Sequence, residues 1–194
     1  MVTPALERRA AVAALLRERG DLLVVSGLGS PSYDVHAAGD SDANFYLWGA
    51  MGGAALVGLG LAQARPERTV LVITGDGEQL MGLGGLATIA VARPKNLMIA
   101  VLDNGRYGET GMQESHTARG LDLTAVAAAC GFAAQIIADL AEVEAARTAL
   151  HAPASRPRFL LLKVGPDNPP RSLPPRDAVH LKNRFRAHLG LPLP

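Results

Sequence analysis

The chain is predicted to fold as an α/β three-layer sandwich around a mainly parallel sheet. Short apolar runs rich in branched residues recur along it: DLLVVS (21–26), TVLVIT (69–74), LMIAVL (97–102) and FLLLKV (159–164). Stretches with helical spacing separate them, and glycine or proline punctuates the joins. Strands that are apolar throughout and alternate with helices imply right-handed βαβ crossovers and a sheet covered on both faces.

The elements follow in order. Residues 4–19 place Leu6, Ala10, Val12, Ala13, Leu15 and Leu16 on one helical face, and Gly20 stops the pattern. Asp21–Ser26 is a buried strand, followed by the loop GLGSPSYD and a short helix over 32–38. Ala43–Ala64 carries no charge for 22 residues, about the length of a membrane span. Asn44, Gln63 and five glycines make it weakly apolar, so it reads as a buried, closely packed helix over 49–64 that ends before Pro66. The strand TVLVIT leads to a helix over 79–92, closed by Pro94, and then to the strand LMIAVL. A helix over 122–130 has Asp122 or Thr124 as its cap and Gly131 as its stop. A weaker strand (133–137), a helix (140–150) and the strand FLLLKV complete the domain, residues 1–165. Prolines dominate from Gly165 to Pro175, and residues 166–194 form a Pro-rich, basic extension.

Composition narrows the function. With 194 residues, 48% of them apolar, the chain is long and greasy enough for one globular domain. The single cysteine, Cys130, excludes a disulfide framework and a cysteine zinc site, and fits a cytoplasmic setting. Glu7, Arg8, Arg9, Arg17, Glu18 and Arg19 interrupt any apolar leader, so no signal peptide is expected. A net charge of +1 argues against nucleic acid as a partner. Residues 156–188 nevertheless hold eight Lys/Arg against two Asp, a local +6 that reads as a solvated face or a subunit contact.

The chemistry concentrates in three motifs. Gly75-Asp76-Gly77 sits where a strand turns into a helix. A helix start favours an anion, yet a bare carboxylate there would repel a phosphate. A divalent cation removes the conflict: Asp76 binds the metal, the metal binds phosphate, and the amides of Gly77 and Glu78 assist. A dinucleotide fingerprint would need glycine at position 80, which is Leu80, and no Walker lysine follows. The second motif is LDNGRYGETG, in which Asn104 lies 28 residues after Asp76. One helix and one strand separate the two, so the crossover returns Asn104 to a neighbouring strand end. Both offer hard oxygen ligands suited to Mg²⁺ or Ca²⁺. The third motif is WGAMGG, Trp48–Gly53.

Together, GDG, DNGRYG and WGAMGGA resemble the signature of thiamine diphosphate enzymes, over about residues 20–165. The resemblance implies the diphosphate-binding (PP-domain) fold, with thiamine diphosphate and Mg²⁺ as cofactors. It implies Asp76, Asn104 and the Arg106 carbonyl as metal ligands, with Gly75, Gly77, Glu78 and Tyr107 against the cofactor. The carbonyl of Gly49 would meet the cofactor's amino group, and Met51 would wedge between its two rings and hold the bent form. Such enzymes also need a glutamate from a separate pyrimidine-binding domain, for which this chain has no room. The resemblance therefore implies a subunit completed by an α-type pyrimidine-binding partner, in a hetero-oligomer with self-association possible.

Within the family, GDGEQLMGLGGLATIAVARPKNL and LDNGRYGETGMQ are similar to sulfopyruvate decarboxylase β subunits and to the matching half of phosphonopyruvate decarboxylases. That implies non-oxidative loss of CO₂ from a small 2-oxo acid to give an aldehyde. Glu109, Thr110 and His116, just past the metal loop, are the candidate catalytic residues. Two alternatives stand beside this one: the small subunit of a 2-oxo acid oxidoreductase or split synthase, and a non-catalytic cofactor-binding subunit. No membrane association is expected.

Overall fold

The structure is a computed structural model, and it describes residues 6–192. Its main sheet has six strands: β1 (Leu23–Ser26), β2 (Asn44–Tyr46), β3 (Val70–Gly75), β4 (Leu97–Asp103), β7 (Ala133–Ile137) and β8 (Arg158–Lys163). Their order across the sheet is β2-β1-β3-β4-β8-β7, and every pairing is parallel. A two-residue hairpin, β5 (Arg106–Tyr107) with β6 (Gln113–Glu114), stands apart from it.

Alternation along the strands sends side chains to two cores. Val24, Leu71, Ile73 and Leu160 pack with Leu15 of α1 (Arg8–Leu15), Val35 of α2 (Ser30–Ala37) and Val143 of α7 (Leu140–Leu150). Val25, Val72, Ile99 and Phe159 pack with Leu59 of α3 (Ala54–Ala64), Ile89 of α5 (Gly85–Ala92) and Ala127 of α6 (Leu123–Cys130). This is the predicted sandwich. The chain runs from β1 to β2 on one side and from β3 to β4 on the other. The carboxyl ends of β1 and β3 therefore flank the point where strand order reverses, the crevice in which such sheets bind ligands.

Several elements differ from the sequence reading. The helix expected over 49–64 starts only at Ala54, because Ala50 (φ +53°) and Gly52 (φ +89°) are left-handed. Upstream, Asn44–Tyr46 is an edge strand rather than an approach to that helix. The close packing is real: a Cβ on Gly58 would fall 2.3 Å from a Val72 methyl. Leu56 and Val57 are nonetheless exposed. The helix expected over 79–92 is two helices, α4 (Asp76–Met81) and α5, parted at Gly82–Gly84. The first helix spans Arg8–Leu15, and Pro4 lies outside the described residues. Asp122 caps α6 by accepting from the Ala125 amide. Among the described residues no helix is long and apolar enough to cross a membrane.

The basic C-terminal segment folds back as α8 (Ala178–His188). Phe185 is buried against Phe45, ring centroids 5.5 Å apart. Arg184 grips Asp40 with two hydrogen bonds of 2.8 and 2.9 Å, so part of the local positive charge is spent internally. Burial works against the Asp40 charge, but hydrogen bonds from Arg184, the Tyr46 hydroxyl and the Ser41 amide outweigh it and hold its pKa at about 2. An unfolded Asp titrates near 3.9, so the pair's contribution is complete above about pH 4 and is lost as pH falls through 2. The pair is partly exposed, which caps its worth at about 1 kcal/mol. In urea titrations Asp40→Asn is expected to be slightly less stable than the parent at pH 7 and to match it by about pH 2.

Candidate functional site

A cleft opens at the carboxyl ends of β1, β3 and β4. Leu28, Ser30 and Pro31 line it from the first loop, Gly75–Glu78 from the second, and Asn104 and Arg106–Thr110 from the third, with Met51 and Arg8 at its walls. The two predicted oxygen ligands, Asp76 and Asn104, thus come to one cavity. So do Met51, Gly75, Gly77, Glu78, Arg106, Tyr107, Glu109 and Thr110. Gly49 and His116 do not line it. Gly49 is exposed, with nothing within 4 Å of an added Cβ. His116 is exposed and meets the site only through Tyr107, whose hydroxyl is 3.2 Å from its Nδ1.

Asp76 opens α4 and is 1% exposed. Ser115 Oγ donates to its Oδ2, and Thr117 Oγ1 lies 3.1 Å from the same oxygen. Oδ1 is left without a side-chain donor. Thr117 Oγ1 also lies 2.7 Å from Oδ1 of Asp103, a second buried carboxylate. Lys163 pairs with Asp103, whereas no basic side chain among the described residues pairs with Asp76. Burial pushes the Asp76 carboxyl above its usual range, the Asp103 charge adds to that, and the Ser115 and Thr117 hydrogen bonds oppose it. A buried carboxylate beside a like charge, with one oxygen free of side-chain donors, suits a cation.

The turn after β4 presents the second predicted oxygen. Asn104 Oδ1 accepts from the Arg106 amide at 2.9 Å, which holds the side chain inward and leaves the oxygen a second lone pair. Gly105 supplies the left-handed residue that this turn needs (φ +67°). Among the described residues no cluster of three or more His, Cys, Asp or Glu could hold a metal, so a cation here would rely on Asp76, the Asn104 amide oxygen and main-chain carbonyls. Tyr107 lies across Gly77, where a Cβ would fall 2.6 Å from its ring; only glycine lets backbone and ring meet there.

Glu78 does more than its expected amide. Its carboxylate is buried, accepts from Thr74 Oγ1 at 2.9 Å, and faces the amides of Gly52, Leu28 and Ala54. Its Oε1 is buried without a hydrogen-bond partner among the described residues. Burial raises its pKa, and the Thr74 hydrogen bond and the nearby amides oppose the rise. Glu109 is exposed and lies 3.4 Å from Arg171. Thr110 Oγ1 lies 3.1 Å from Gln113 Oε1. Sequence reasoning missed Ser115, Thr117, Asp103, Lys163 and Arg8, all of which bear on Asp76 or its cleft. The only available signal was the hydroxyl spacing in ESHTARG.

A family model described as the thiamine pyrophosphate enzyme C-terminal TPP binding domain matches residues 33–164. The sulfopyruvate decarboxylase β subunit of Methanothermobacter thermautotrophicus is 40% identical over 180 residues, covering 93% of this chain and 94% of that one. A phosphonopyruvate decarboxylase of Streptomyces viridochromogenes is 48% identical over 128 residues, covering 66% of this chain and 32% of that protein. Across the other curated sulfopyruvate and phosphonopyruvate decarboxylases matched, the chain spans between 31% and 59% of their length. The benzoylformate decarboxylase of Polynucleobacter necessarius shares the fold, with a TM-score of 0.70 at 20% identity over 85% of this chain and 34% of that one.

Proposed function

The chain belongs to the thiamine pyrophosphate enzymes, as their C-terminal cofactor-binding domain, and from that premise we propose that it is the β-type subunit of a Mg²⁺-dependent 2-oxo acid decarboxylase of the sulfopyruvate or phosphonopyruvate kind. The observation that carries the reading is Asp76: a buried carboxylate without a basic partner, in one cleft with the Asn104 oxygen and the bare backbone of Gly77.

When bound, thiamine diphosphate supplies the electron sink for loss of CO₂ from a 2-oxo acid. Asp76, Asn104 and the Arg106 carbonyl would hold Mg²⁺, and the cation would neutralise the diphosphate. Ser115 and Thr117 fix the Asp76 carboxylate, so the ligand is preorganised. Gly49 and Met51 would meet the rings. Glu109 and Thr110 line the cleft and would meet the substrate, while His116, outside it, would bear on the reaction only through Tyr107.

The partner follows from what the cleft lacks. Its volume is about 80 Å³, well below the roughly 300–1,000 Å³ of a complete ligand pocket. Met51 is 42% exposed beside it, and Leu56 and Met81 are exposed on the adjoining helices. This apolar face continues from the cleft and suits coverage by a pyrimidine-binding subunit that brings the activating glutamate.

The test is a screen of 2-oxo acids for CO₂ release with the chain alone and with its co-purified partner. Turnover of sulfopyruvate or phosphonopyruvate by the complex, with none by the chain alone, is the expected result. Full activity of the lone chain would remove the partner from the reading, and tighter binding of Mg²⁺·ATP than of Mg²⁺·thiamine diphosphate would remove the cofactor.

A further inference from the structure

Arg8 is charged, opens α1, and is only 5% exposed. The local fold brings it to the cleft. Leu6 bridges to Val164 just past β8, its amide donating to the Lys163 carbonyl at 3.2 Å and its own carbonyl accepting from Gly165 at 3.1 Å. Glu7 then caps α1 by accepting from the amides of Arg9 and Ala10. The helix therefore begins at the carboxyl end of the sheet, the end that carries Asp76 and Asn104.

The charge there is unbalanced. Arg8 Nε donates to Asp34, and Arg9 Nε lies 3.3 Å from the other oxygen of the same fully buried carboxylate. Two guanidiniums share one carboxylate, which leaves a net +1. Arg8 Nη1 is buried and, among the described residues, has no hydrogen-bond acceptor. A buried charged donor without an acceptor is costly, and an incoming anion removes that cost.

Two further observations point to the same wall. Arg8, Ser30, Gly108 and Glu109 line both the Asp76 cleft and a second cavity of about 230 Å³ beside it. The eight-residue helix α2 starts on this wall, and no side chain caps it: its N-cap is Gly29, at φ +79°. The Glu109 carboxylate lies against Gly29, where a Cβ would fall 2.8 Å from its Oε1, so an anion reaches the start of α2 only once this exposed side chain swings aside, with Arg171, 3.4 Å away, as its counter-charge.

We infer that Arg8 is an oxyanion anchor of the cofactor site. With the uncapped start of α2 it takes an oxygen of the terminal phosphate of thiamine diphosphate, on the wall shared by the two cavities. A planar guanidinium already held at Nε by Asp34 presents its remaining donors in a fixed fork, which suits a phosphoryl group. The inference rests on the thiamine diphosphate reading above, but its charge argument requires only a phosphoryl anion.

The test is calorimetric titration of the chain co-purified with its partner, using thiamine diphosphate, thiamine monophosphate and inorganic pyrophosphate, each with excess Mg²⁺. The variants are Arg8→Lys and the double variant Arg8→Met/Asp34→Asn, which does not strand a buried carboxylate; thermal melts check that both fold. Affinity for thiamine diphosphate and pyrophosphate is expected to fall about tenfold in Arg8→Lys and further in the double variant, with thiamine monophosphate affinity unchanged. Equal diphosphate affinity in folded variants and parent overturns the anchor and leaves the cofactor reading standing. Arg8-dependent binding of pyrophosphate without any of thiamine diphosphate keeps the anchor and overturns the cofactor. Binding of neither by the parent complex overturns both.

Discussion

Asp76→Ala is expected to abolish Mg²⁺-dependent binding of thiamine diphosphate, with a loss of at least about 100-fold in affinity. Removing an outer-shell partner of a metal ligand already costs about 10–100-fold, and this substitution removes the ligand itself. The fold should survive. The Asp76 charge is buried, lies near Asp103, and has no basic partner among the described residues to repay its desolvation. Asp76→Asn keeps an acceptor for Ser115 and Thr117 while removing that charge. Its melting temperature without ligand should equal or exceed the parent's. The informative pairing is unchanged or raised stability with lost cofactor binding, read by a thermal melt and a titration on one preparation. Normal cofactor affinity in Asp76→Ala would end the metal-ligand role.

Gly82→Ala should have the largest effect on the fold. A Cβ at position 82 would lie 2.0 Å from the Gly52 carbonyl oxygen, and one at position 52 would lie 2.8 Å from the Gly82 amide nitrogen. Both obstacles are backbone, so no side chain can swing aside. The Met51 loop must lift off the end of α4, or the joint between α4 and α5 must open. Overpacking of this kind costs about 1–3 kcal/mol, and the Met51 loop would lose its position at the cleft. Gly84→Ala, two residues on, is the control: Gly84 has a helical φ of −61° and open space around an added Cβ. Urea denaturation should separate the two variants by about 2 kcal/mol, and thiamine diphosphate affinity should fall only in Gly82→Ala. Equal stability of the two variants would mean that the crossing of Gly52 and Gly82 does not constrain the loop.

The central strands were legible because burial on both faces makes each an uninterrupted apolar run. The edge strand Asn44–Tyr46 was not: three residues with a polar start carry no such run. The break at Gly82–Gly84 was hidden for a different reason. Its cause is a contact with Gly52, thirty residues earlier, and helical periodicity carries no information about that contact. At the site, Asp76 and Asn104 could be paired from sequence because one crossover fixes where adjacent strand ends lie. Ser115 and Thr117 could not, since the hairpin between Arg106 and Glu114 determines their return to Asp76. Arg8 was the hardest to read. A first helix rich in Arg and Glu looks solvated, and only the pairing with Asp34, 26 residues away, takes this arginine inside.

The hairpin divides fastening from contact. Its base is pinned to the strand ends by the Asn104 turn, by the Gly105 carbonyl accepting from the Ser115 amide, and by the two hydroxyls on Asp76. Its tip, Gly108–Met112, meets the rest of the chain mainly through Glu109 with Arg171 and Met112 with Asn168. If, as proposed, Glu109 and Thr110 meet the substrate, selectivity among acids would change at these five neighbouring positions while the proposed seat at Asp76 stays untouched. A randomised library confined to that tip would then shift substrate preference without loss of cofactor binding.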